Sequence, residues 1–93
     1  MARYVTLIRF TDQGARALGK STARALAFKE AAGKAGVSVE TQLWTVGAWD
    51  GVLILSGEEK KVLRCLTELA SLGNVRTETM QALDAGEFKG ISG

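Results

Sequence analysis

Apolar and polar positions change their period several times along this chain, and each change predicts an element. The stretch "RYVTLIRF", Arg3 to Phe10, is dense in β-branched and aromatic residues and predicts a strand. Asp12 is placed to cap a first helical segment carrying Ala15 and Leu18, which "GKS" then interrupts. Ser21 is placed to recap a longer helix, Thr22 to about Ala35, whose apolar line runs Ala25, Phe28, Ala32, Ala35 at spacings of three and four; Gly36 ends it. A second strand follows over Val37 to Val46, with Val37, Val39, Thr41 and Leu43 expected on one face and Ser38, Glu40, Gln42 and Trp44 on the other. "GVLILSG", Gly51 to Gly57, is apolar on both faces, as a central strand is. Glu58 and Glu59 open a second long helix, where negative charge suits the dipole, and Val62, Cys65, Leu66, Leu69 and Leu72 form its apolar stripe up to Gly73. "NVRTETMQAL", Asn74 to Leu83, reads as a fourth strand, and Asp84 with Glu87 has capping-box spacing for a short terminal helix bearing Phe88 and Ile91.

The order β-α-β-β-α-β is the split βαβ, ferredoxin-like arrangement of an α+β domain. Right-handed crossovers put the first and third strands at the centre of a four-stranded antiparallel sheet, with both long helices on one face. The other face is then bare. In the first strand Val5 and Leu7 point one way while Tyr4, Ile8 and Phe10 point the other, and the third strand is apolar on both sides. A sheet open to water alternates more cleanly, so a second copy of the same sheet is the expected cover.

Bulk properties narrow the function classes. The 93 residues make one domain, 1–93, and a composition of 46% hydrophobic and 24% charged residues is that of a globular chain rather than a disordered one. A formal charge of +2 leaves no electrostatic footprint for nucleic acid. Base stacking on such a sheet would also need exposed aromatics on the central strands, and "GVLILSG" has none. The absence of His removes His–carboxylate catalysis, His-ligated haem and most zinc sites; no metal or cofactor is expected. The single Cys, Cys65, allows no internal disulfide. With no secretory or membrane-spanning pattern, the expected location is the cytoplasm.

Three segments resemble the GYD-domain proteins of the dimeric α/β-barrel superfamily, small proteins of bacteria and archaea: "RYVTLIRFTDQGAR", "WTVGAWDGVLI" and "SLGNVRTETMQAL". In the family's Gly-x-Tyr-Asp signature Gly47 and Asp50 match, and Trp49 stands in place of the Tyr. The resemblance implies the ferredoxin-like fold and a dimeric barrel; the family has no established reaction. The effector-binding domains of leucine-responsive-type regulators are similar in strand order and in a Gly-x-x-Asp turn. They assemble through their sheets and bind small amino acids between subunits.

The candidate ligand-binding residues are Trp44, Gly47, Trp49, Asp50, Arg9 and Arg76. Asp50–Gly51 between apolar runs is a hairpin signal, in which Asp50 would bond nearby backbone N–H groups. As a site, Asp50 would anchor an amine or hydroxyl, with Trp49 and Trp44 as the apolar wall. Arg9 and Arg76 fall at one end of adjacent strands, where they would suit a carboxylate or phosphate; the plainer reading pairs Arg76 with Glu78 or Glu40 on the open face, or leaves both arginines pointing into water. Cys65, on an apolar stripe, reads as core, and Gly73 with Asn74 as cap chemistry. No catalytic residue is assigned. The expected function is a homo-oligomeric small-molecule-binding or interaction module, without nucleic-acid or membrane partners. The alternative is a cofactor-free enzyme of monooxygenase or isomerase type within the same superfamily.

Overall fold

The computed structural model describes residues 2–93. Strand β1 (Ala2–Phe10) leads through a one-turn helix α1 (Asp12–Arg16) and a 3-10 turn (Leu18–Lys20) into α2 (Ser21–Lys34). Strands β2 (Ser38–Trp44) and β3 (Gly51–Gly57) form a hairpin, followed by α3 (Glu59–Ser71), β4 (Val75–Ala82) and α4 (Ala85–Ser92). The sheet order is β2-β3-β1-β4, with every neighbouring pair antiparallel. The ferredoxin-like arrangement expected from the sequence is therefore the fold.

Burial alternates along the central strands and separates the two sheet faces. Tyr4 and Thr6 of β1 face Leu55 and Leu53 of β3, and all four are buried. They pack with Val37, Val39, Ala32 of α2, and Val62, Cys65 and Leu66 of α3 to form the core. Thr6 is the one polar residue in it among the described residues, and its hydroxyl is satisfied by the Thr79 hydroxyl on β4 at 2.9 Å. The other face carries Val5 and Leu7, Val52 and Ile54, all only half-buried, with Leu43 and Met80 beyond them more exposed. None of the elements described above covers that face, and the molecule is only 17 Å across its shortest dimension.

Several local expectations are corrected. Thr11, not Asp12, caps α1: its hydroxyl accepts the Gly14 N–H and donates to the Gly73 carbonyl. A Thr in that place both satisfies the helix start and ties it to the turn before β4. Ser21 begins α2 but does not cap it; its hydroxyl accepts the indole N–H of Trp44 instead. A β-bulge between Val39 and Thr41 changes the strict alternation expected of β2. Before it Val39 faces Leu55; after it Gln42 and Trp44 face Leu53 and Gly51, on the helix side, while Thr41 and Leu43 face Ile54 and Val52 on the bare side. Alternation read from composition cannot reveal an inserted residue, because the bulge is specified by both strands of the pair. At the other end of the chain, α4 carries the full Asp84–Glu87 capping box.

Candidate functional site

The hairpin between β2 and β3 is not the tight two-residue turn that Asp50–Gly51 suggests. It is a loop over residues 45–50, closed by the Thr45 N–H donating to the Asp50 carbonyl and by the Thr45 hydroxyl donating to the Trp49 carbonyl. Gly51 does not take the left-handed conformation. It is required for space: a Cβ there would lie 3.0 Å from the Leu43 carbonyl oxygen and 3.8 Å from Ile8.

Asp50 acts at long range. Its backbone N–H donates to the Ile8 carbonyl at 2.8 Å, and its carboxylate Oδ2 accepts the Phe10 N–H at 2.8 Å. Those two bonds continue the ladder of β1 past Gly51, the first residue of β3, with a side chain standing in for backbone. Replacing Asp50 by Ala is expected to cost about 1.5–3 kcal/mol, the range for a charge-assisted bond whose partner is left part-buried. Asn retains an acceptor and is expected to recover most of it, as urea unfolding of both variants would show. Equal stability of Asp50→Ala and the parent chain would mean the contact carries nothing.

Above the sheet, α2 and α3 stand apart and leave a cavity of about 460 Å³. Its walls are largely apolar: Ile8 and Phe10 from β1, Ala25 and Phe28 from α2, Leu53 from β3, and Leu69 from α3. The sequence signal for it is the run of alanines on α2, whose small side chains do not fill the space opposite α3. Polar groups lie on the same wall. Arg24 is committed to the Ala17 and Gly14 carbonyls, and the Gln42 amide N–H to the Ala25 carbonyl. Among the described residues, Oε1 of Gln42 and Oδ1 of Asp50 accept no bond from the protein. Cys65 also touches the cavity. Burial first, and Glu68 second, push its thiol above the ordinary value, so the thiolate a nucleophile needs is disfavoured.

The six residues singled out in the sequence fall into two groups. Trp44 and Asp50 line the cavity, and Gly47 joins them at a shallower depression beside it. Arg9 and Arg76 lie directly opposite one another on the bare face, at the end nearest the loop. The Arg9 guanidinium stacks on the Trp49 ring at 4.5 Å from its centroid and donates to the Ala48 carbonyl at 3.0 Å. Among the described residues Arg76 is exposed and makes no ion pair, so of the two plainer alternatives it is the bridge to Glu78 or Glu40 that does not form. The loop thus touches both sides of the sheet: Asp50 and Trp44 look towards the cavity, while Trp49 belongs with the arginines. Gln42 and Phe28 were missed as cavity residues, the first because the bulge turns it inward.

Residues 4–91 match the model of the GYD domain. The chain belongs to the GYD-domain family. It is 32% identical, over 95% of each chain, to a Thermus thermophilus protein described as a glutamine synthetase and cystathionine beta-lyase binding protein. A crystal structure of a protein from the same organism shares the fold at a TM-score of 0.55, with 24% identity, covering 91% of this chain and 96% of that one. Among the described residues no helix is long and apolar enough to cross a membrane.

Proposed function

We propose that this GYD-domain protein is a non-catalytic interaction module that works as a homo-oligomer, with a second copy seated on its bare sheet face. The observation that carries the reading is the apolar strip Val5, Leu7, Val52, Ile54 running down the two central strands, flanked by Leu43 and Met80, with none of the described elements over it. A two-layer domain with its central strands half-buried on the solvent side gains most by pairing that side. The relative named as a binding protein for two enzymes supports an interaction role and suggests protein partners of the same general kind. Sedimentation velocity over a dilution series tests the self-association: a dimer or larger species at micromolar concentration is expected, and a folded monomer throughout would overturn it.

The cavity favours a second reading, in which the same module holds a small molecule. A volume of about 460 Å³ falls within the range of ligand sites, roughly 300–1,000 Å³. Apolar walls with acceptors on Gln42 and Asp50 that take no bond among the described residues suit a compact apolar alcohol or amine. Only Trp44 of the two tryptophans lines the cavity, so a bound ligand is expected to change Trp44 emission and leave Trp49 unaltered. Titrating a panel of such alcohols and amines into Trp44→Phe and Trp49→Phe variants separates the signals. Ala25→Phe, which fills the space, is expected to abolish the response. A ligand that bound Ala25→Phe as well as the parent chain would place the site elsewhere.

A further inference from the structure

We infer that α4 is an arm that closes over a second copy of this chain, extending the sheet-to-sheet contact. The inference rests on the self-association proposed above. Helix α4 contributes no buried residue: Phe88 is 57% and Ile91 72% exposed, with Leu83 before it 38% exposed. Its tether sets its side. Glu87 sits 3.6 Å from the Arg3 guanidinium. Arg3 alternates with Val5 and Leu7, so it belongs to the bare face, opposite Ser56 on β3 and Ala82 on β4. The arm therefore stands at the rim of the face where the second sheet would arrive, and not over the helices.

Two quantities support that placement. Four strands about 4.8 Å apart and about seven residues long at roughly 3.3 Å each give a flat footprint of roughly 400–450 Å². A stable pair buries about 800 Å² on each partner. Side-chain relief enlarges the footprint, but two twisted sheets crossing one another do not cover their corners. The bare face leaves little margin by itself, and an arm carrying Phe88, Ile91 and Leu83 adds apolar area at its rim. The second quantity is length. Helices shorter than about 12–15 residues are marginal in water, and α4 has 8 residues with only its capping box and one exposed ion pair to hold it. A surface against which its exposed Phe88 and Ile91 could pack would stabilise its helical form.

The test uses the full chain with Phe88→Ser and Ile91→Ser together. Both side chains are exposed, so the fold of the single chain is expected to be unaffected. The dissociation constant of the self-associated species, from sedimentation velocity on diluted samples, is expected to rise about a hundredfold, which is about 2.8 kcal/mol. Hydrogen exchange gives a second reading: amides of residues 86–92 should be protected at high protein concentration and exchange freely on dilution. If the parent chain associates and the double variant associates equally tightly, with exchange in this segment independent of concentration, the arm is overturned while the sheet contact stands. A parent chain that stays monomeric overturns both.

Discussion

Val5→Lys is expected to weaken self-association at least a thousandfold, leaving a folded monomer at micromolar concentration. Val5 lies at the centre of the bare face, between Ile54 on one side and Met80 on the other. In a two-fold pair every substitution occurs twice. Two ammonium groups would then enter a closed apolar contact, and the effective desolvation of one such ion alone costs several kcal/mol. A thousandfold weakening corresponds to only about 4 kcal/mol, so it is a lower bound on the effect. In the single chain the same Lys points to water, where it costs at most about 1 kcal/mol of strand preference. Far-ultraviolet circular dichroism checks the fold and sedimentation velocity reads the association. Met80→Lys, on the outer strand and already 47% exposed, should do less. Undiminished association of Val5→Lys would mean that the copies meet on another surface.

Gly14→Ala is expected to produce the largest loss of folding stability of any alanine substitution at a glycine in this chain. Gly14 is buried in α1, and a Cβ there would run into the backbone carbonyl of Asn74. Neither side of that contact can yield cheaply. The Thr11 N–H donates to the same Asn74 oxygen at 3.1 Å, and Gln13 Nε2 bonds the Leu72 carbonyl at 3.0 Å and Asn74 Oδ1 at 2.9 Å. Relieving the overlap means lifting α1 from the turn before β4, and with it those bonds. A loss of about 2–4 kcal/mol follows from overpacking with broken hydrogen bonds. At roughly 4–8 °C per kcal/mol for a domain of this size, the melting temperature should fall by about 10 °C or more. Gly33→Ala is the natural control. Nothing lies within 4 Å of its Cβ position, inside α2, so helix preference alone should raise stability by about 0.5–1 kcal/mol. Both variants must be compared at one protein concentration, since association shifts the apparent stability. A Gly14→Ala chain as stable as its parent would mean the α1 docking contributes little.

The Val5 prediction follows from an alternation visible in the sequence, whereas the Gly14 prediction depends on a contact with Asn74, sixty residues away, that local sequence does not show. Element order, the central place of β1 and β3, the stripe of α3 and the Asp84–Glu87 capping box were all legible. The elements and caps depend on residues within a turn or two of one another, so hydrophobic period and cap chemistry suffice to specify them, and the handedness of crossovers then fixes which strands are central. The pairing of Arg9 with Arg76 at one end of the sheet was legible too, because antiparallel topology leaves little freedom once the strand order is known.

What only the tertiary structure decided involves partners far apart in the chain. The bulge beside Glu40 turns Gln42 and Trp44 towards the helices, and it exists through the register with β3. Asp50 looked like a turn former but accepts from Phe10, 40 residues away. Trp44 and Trp49 looked like two sides of one wall, yet one bonds Ser21 on α2 and the other stacks on Arg9 at the bare face. The cavity depends on how far α2 and α3 stand apart, which is the combined outcome of alanines on one helix and the apolar stripe on the other. Local energies act over a few residues and set which elements form. Register, bulges and helix separation come from the joint packing of all of them, so the chain by itself determined the frame of this GYD-domain protein and the packing decided which side chains share a site.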